Sequence, residues 1–399
     1  MAVPRIRPGN YPAILSYGFR PFFLLGAFYA GAAILFWLPL FYGILKTASV
    51  FAPVDWHVHE MLFGYLAAVM TGFLLTAIPN WTGHLPVQGL SLLALVLLWL
   101  AGRVAVFFSA EIGWLAASLI DCAFLLAVAA SAAVEIIAGR NWRNLKVLAP
   151  VSLLFVANVV FHLEAHAYGT SDIGRRLGIA AAIVLITIVG GRIIPSFTRN
   201  WLVRENPGRL PRPFGSFDTI VIAATALALA AWTFRPEAAW TSAVLIASAM
   251  LNLARVGRWA GERTWRDPLV LVLHIAFLFV PAGLLMAGLA AVFPPSIPTA
   301  AAVHAFGAGA IGSMTLAVMT RATLGHTGRE LHANVGTCGI YVAVGLAAIL
   351  RILAAFQPEW SALIDASALM WAAAFLGYAG YYGVMLTRPR LRARQPSQP

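Results

Sequence analysis

The sequence predicts an all-α polytopic membrane protein of about twelve transmembrane helices, and three observations carry that prediction. Of its 399 residues, 61% are hydrophobic and only 11% charged, with a mean hydropathy of +0.82. A soluble domain is about one quarter charged, so this chain lacks the polar surface to stay in water. Apolar runs of about 18 residues or more recur from end to end, each long enough to cross a bilayer, and runs of this length decide for helix over buried strand. The third observation is where the charge sits.

In order, the spans read 19–42, 57–79, 88–108, 112–137, 147–168, 177–197, 217–235, 238–256, 268–292, 299–320, 336–355 and 362–387. Met1–Arg20 is a polar arm before a full-length span, with no cleavable signal peptide in it. The N-terminus, the connections after even-numbered spans and the C-terminal tail hold 18 basic residues, while the connections after odd-numbered spans hold 4 (Lys46, Arg175, Arg176 and Arg235). That asymmetry follows the positive-inside rule and places both termini in the cytoplasm. The net charge of +12 thereby reports topology and leaves no basic face for nucleic acid. The partner the composition demands is membrane lipid. Cys122 and Cys338 lie inside apolar spans, share no motif spacing and read as core residues.

An internal repeat organises the chain. His59–Gly83 matches His304–Gly328 at a constant offset, with His59/His304, Gly64/Gly309, Ala77/Ala322, Thr82/Thr327 and Gly83/Gly328 identical. The sixth span joins through Thr71/Thr187, Ile78/Ile194, Pro79/Pro195 and Thr82/Thr198, with Arg175 where the histidine would fall. Arg103 and Arg351 also correspond, in AGRVAVFF and ILRILAAF. Spans 2, 6 and 10 are then equivalent. The single transmembrane domain 1–399 divides into three four-helix units, 10–140, 141–260 and 261–390.

Ionisable groups at membrane depth are costly, so each is a functional candidate. His57, His59, His162, His274 and His304 lie in or at the edge of spans. Span direction and a rise of about 1.5 Å per residue put His59, His162 and His304 in one outer layer, from three separate spans. Imidazoles in a packed apolar cavity suit haem iron and also copper; each alone could equally be a helix-packing hydrogen bond. His57 and His59 point about 200° apart on a helix and cannot ligate one metal together. His274 falls in the cytoplasmic half of span 9. Arg103 and Arg351 share the histidine layer and each needs an anion, which haem propionates would supply bidentately. The alternative partners are Asp121, Glu60 or Glu164.

A second constellation falls at the cytoplasmic ends, TAIPNWTGH (76–84), GGRIIPSFTRNW (190–201) and MTRATLGHTGREL (319–331). Pro79 and Pro195 with the neighbouring glycines are expected to unwind the helix ends there. Arg192, Arg321, His84 and His326 either bind an anion or cap those ends.

At SYGFRPFFLLG (16–26), WHVHEMLFGY (56–65), GFLLTAIPNWTG (72–83), GGRIIPSFTRN (190–200), LHIAFLFVPAG (273–283) and VMTRATLGHTGREL (318–331) the chain resembles the NnrS family of bacterial membrane proteins. The resemblance runs through spans 1 to 11. It implies haem, with copper in some members, and a place in the response to nitric oxide. A looser similarity is to the main subunit of haem–copper oxidases, also twelve helices in three arcs, with haem between histidines of the second and tenth helices. His59 and His304 would be that pair, with His162 or His57 on a second haem or copper. Span 6 has no histidine, so the oxidase copper site is not reproduced. The function expected is binding or conversion of nitric oxide, or protection from nitrosative stress. The alternatives are a transporter of a metal, haem or small anion, and a haem-based gas sensor or assembly component.

Overall fold

The protein was analysed as a computed structural model that describes residues 11–391, residues 141 and 295 excepted. Arg5, Arg7, Arg392 and Arg394, four of the cationic residues counted above, lie outside the described residues. The twelve expected spans are all helices: α1 (Phe19–Phe41), α2 (Pro53–Thr82), α3 (Gly89–Phe107), α4 (Trp114–Ala138), α5 (Leu145–Tyr168), α6 (Ile173–Glu205), α7 (Ser216–Phe234), α8 (Ala239–Gly257), α9 (Pro268–Val292), α10 (Thr299–His326), α11 (Val335–Phe356) and α12 (Ser361–Thr387). There is no β-strand among the described residues. With no water in the bilayer core, only helices can satisfy every backbone N–H and C=O within one segment.

Consecutive helices pack against one another, and α12 returns to α1, so the bundle closes on itself. The spans most enclosed by protein are α2, α6 and α10, at 83%, 67% and 67% of their apolar cores, and these three stand innermost. Each is also longer than its apolar run. The expected ends at 79, 197 and 320 become Thr82, Glu205 and His326.

Pro79 and Pro195 do not unwind their helices, contrary to expectation; both sit inside continuous helix. A proline removes one backbone donor, and side chains in the same turns bind neighbouring carbonyls. Asn80 Nδ2 donates to Thr76 O at 2.8 Å, Thr82 Oγ1 to Ile78 O at 3.0 Å and Thr198 Oγ1 to Ile194 O at 2.8 Å.

The irregular backbone is elsewhere. Residues Glu60–Leu66 of α2 and Ala305–Gly312 of α10 are π-helix, each starting immediately after the histidine of its span. A π turn holds an extra residue, so it shifts the face presented by all that follows, and such turns concentrate at functional sites. The two segments occupy corresponding places in the α2/α10 sequence match.

Candidate functional site

Two polar clusters lie at the end of the bundle opposite the chain termini. The first is built on the start of α2, where His59 and Glu60 are fully buried. His59 Nδ1 is 2.9 Å from Glu60 Oε1, and its Nε2 is 3.0 Å from Asn158 Oδ1 on α5 and 3.2 Å from Asp121 Oδ2 on α4. Arg103 on α3 donates to Glu60 Oε2 at 2.5 Å and also to Asp121 Oδ1. His162 Nε2 lies 3.1 Å from Asp121 Oδ2, to which Asn158 Nδ2 donates at 2.7 Å. Tyr29 of α1 donates its hydroxyl to Glu60 Oε2. Phe51, Phe63 and Phe161 wall the two imidazoles, whose ring centroids are 5.0 Å apart.

Local sequence makes this close packing feasible. A Cβ on Gly64 would stand 2.8 Å from Arg103 Nη1 and 2.9 Å from Glu60 Oε2, and one on Gly102 would stand 2.9 Å from Asp121 Oδ1. Any larger residue at either place would displace the ion pairs. Trp99 of α3 donates its indole N–H to Gly64 O at 3.0 Å, satisfying a carbonyl of the π segment.

The second cluster comprises His57 of α2, His304 of α10 and Arg351 of α11, which lie within electrostatic range of one another. His304 Nδ1 donates to Ala300 O at 2.7 Å, which fixes the tautomer and leaves the Nε2 lone pair free. His57 stacks on Trp37 at 4.4 Å, and its Nδ1 is buried without a hydrogen-bond partner. Among the described residues no carboxylate pairs with Arg351. All three side chains are partly accessible. Gly307 lies three residues beyond His304 in the π segment, and a Cβ there would meet nothing within 4 Å.

The structure brings together pairs of histidines other than the expected His59 and His304. His59 is bound to residues of α4 and α5 and shares its cluster with His162, while His304 shares a cluster with His57. The reason is azimuth. Two residues apart on α2, His57 and His59 face opposite sides, and the one on the α10 side is His57. Arg103 likewise has Glu60 and Asp121 as anions, leaving no call there for a propionate. Glu164 pairs with neither arginine; it caps α6 through the N–H groups of Ile173 (3.1 Å) and Gly174 (2.8 Å).

His274 belongs to neither cluster. It lies in the half of α9 nearer the termini, with Nε2 2.8 Å from Thr198 Oγ1. The residues of the second expected constellation have separate partners: His84 with Glu135 at 3.0 Å, His326 against Tyr17 and Phe19, and Arg321 over the Phe197 ring at 4.1 Å. Sequence reasoning did not single out Asn158, Tyr29 or Gly102, and it had Gly64 only as a repeat identity. Asn158 had one available signal, since it stands four residues before His162 on the same helix face.

His59, Asp121 and His162 each offer a ligand atom, all within 4.8 Å of one another and all buried, which is a geometry able to hold a metal ion. No curated protein matches the chain. The family model described as NnrS protein matches residues 13–390, nearly the whole sequence, and this twelve-helix membrane protein belongs to the NnrS family.

Proposed function

We propose that the protein is a haem-containing protein of the bacterial cytoplasmic membrane that binds or converts nitric oxide, limiting nitrosative damage. The observation that carries this reading is Arg351, a guanidinium within a membrane-spanning helix that pairs with no carboxylate among the described residues and stands within electrostatic range of two imidazoles. A buried charge without a counter-ion is strongly unfavourable, so the site calls for an anionic ligand, and the adjacent imidazoles call for a metal. A haem with its propionates answers both demands.

His57 and His304 are the residues that would hold the iron, and Arg351 would pair with a propionate. When bound, haem supplies an iron that takes a diatomic gas as ligand. The chain's own part is to present neutral imidazoles: the His304 bond to Ala300 O keeps its Nε2 lone pair inward, and Trp37 orients the His57 ring. Gly307, three residues on, leaves open space on α10. Copper, which family resemblance also implies, would need ligands other than these three.

The same reading takes the 18-to-4 charge asymmetry as orientation, with both termini cytoplasmic and the two clusters near the outer face. It also takes the chain as three four-helix units, 10–140, 141–260 and 261–390, supported by the inner position of α2, α6 and α10 and by the matched π segments. Reporter fusions at residue 399 and within 169–176 should fall on opposite sides of the membrane; the same side for both would refute the orientation.

Absorption spectroscopy on the purified protein tests the function. A Soret band that shifts on adding nitric oxide is the expected result, and His304→Ala should remove most of it. A colourless preparation that catalyses solute uptake would contradict the reading and favour transport.

A further inference from the structure

We propose that the first cluster is a mononuclear metal centre for a first-row transition-metal ion, held by His59 Nε2, His162 Nε2 and Asp121 Oδ2, with Asn158 Oδ1 beside them. It shares no residue with the His57/His304/Arg351 site and does not rest on the haem reading.

The spacing suits coordination. Asp121 Oδ2 lies 3.2 Å from His59 Nε2 and 3.1 Å from His162 Nε2. Ligand atoms about 2.0–2.2 Å from a tetrahedral metal stand roughly 3.4 Å from one another; both Asp121 separations are within a few tenths of an ångström of that, and all three ligand atoms lie within 4.8 Å of one another. Two imidazoles and one carboxylate favour a transition metal over calcium or magnesium, which take oxygen ligands.

Hydrogen bonding around His59 asks for a cation. Glu60 Oε1, a carboxylate oxygen held in place through Arg103 and Tyr29, accepts the Nδ1 proton at 2.9 Å. The lone pair of Nε2 then points at Asn158 Oδ1 and Asp121 Oδ2, both acceptors. The amide cannot turn to offer its NH2 instead, because Asn158 Nδ2 already donates to Asp121 Oδ2 at 2.7 Å. Three lone pairs facing one point repel unless something positive lies among them.

Charge leads to the same place. Glu60 and Asp121 bring two negative charges and Arg103 one positive charge, all buried in a membrane bundle. One negative charge is left over, and a bound cation offsets it. The outer partners are those a metal site needs: a carboxylate on the non-ligating nitrogen of His59 fixes its ring and tautomer, and Arg103 fixes both carboxylates.

The test uses the full-length protein in detergent, stripped with a chelator and then titrated with Cu2+ alone. About one equivalent per chain should bind, with an electron paramagnetic resonance signal carrying hyperfine splitting from two nitrogens. His162→Gln should lose that equivalent and the two-nitrogen signal while the haem absorbance, read on the same sample, stays as in wild type. Should His162→Gln fail to fold, the wild-type resonance and the conservative His162→Asn variant carry the test. Binding of much less than one equivalent by wild type, a signal without nitrogen splitting, or full binding by a folded His162 variant would overturn the proposal and leave a proton on His59 as the compensating charge. A preparation that binds the metal but holds no haem would refute the haem reading and support this one.

Discussion

Arg103 and Arg351 occupy matching sequence contexts near the same ends of α3 and α11, yet the bundle treats them oppositely. Arg103 is shared between Glu60 and Asp121, and those carboxylates are bound in turn by Tyr29, His59, Asn158 and His162. Arg351 stands within electrostatic range of His57 and His304 and pairs with no carboxylate among the described residues. One arginine is thus tied into the fold by two carboxylates, and the other has none among the described residues. Where two related positions differ this way, the incomplete one is the better guide to a ligand.

The contrast is open to attack by substitution. The largest effect should come from Arg103→Leu, which leaves two buried carboxylates without their cation. Breaking a buried pair from one side costs about 3–5 kcal/mol, enough to cut the yield of monodisperse protein severalfold by size-exclusion chromatography. Wild-type yield would mean that the pairing does not stabilise the bundle. His304→Ala comes next: it removes one imidazole whose only hydrogen bond is to Ala300 O, so the fold should persist while most haem is lost in a pyridine haemochrome assay. Full haem content in both His304→Ala and His57→Ala would show that the second cluster is not the haem site.

Gly307→Leu should act more mildly. Its side chain enters space that is open now, so helix content and yield should match wild type while haem occupancy falls by a fraction rather than entirely. Unchanged occupancy would place the ligand on another face of α10. The smallest effect is expected for His274→Gln. Its one hydrogen bond is to Thr198 and it touches neither cluster, so haem content and metal stoichiometry should both stay at wild-type values. A loss of either would tie the lower half of α9 to the sites.

All twelve helices were legible because a bilayer demands long apolar runs, and interruptions between them are conspicuous. The polar candidates were legible too, because ionisable residues stand out within apolar spans. Azimuth was not. Whether His57 or His59 faces α10 depends on helix packing, and the π turns after His59 and His304 leave no mark in composition. Asp121 and Glu60 were named as alternative partners for an arginine, but that both would serve Arg103 and none Arg351 follows only from the packing of α2, α3 and α4. Asn158 is a single amide in an apolar helix, and its role emerges only once α4 and α5 are side by side. Pro79 and Pro195 misled because a proline inside a helix is tolerated when Asn and Thr side chains hold carbonyls in the same turns.

The central claim is that Arg351, unlike Arg103, is kept for an anionic cofactor, and the most direct measurement is the haem-to-protein ratio and midpoint potential of purified Arg351→Leu. Removing a buried cation that has no internal partner should leave the yield at or above wild type. The same variant should lower haem retention and lower the midpoint potential of the haem that remains, because losing a nearby positive charge favours oxidised iron. A variant that folds normally and carries wild-type haem at the wild-type potential would contradict the claim.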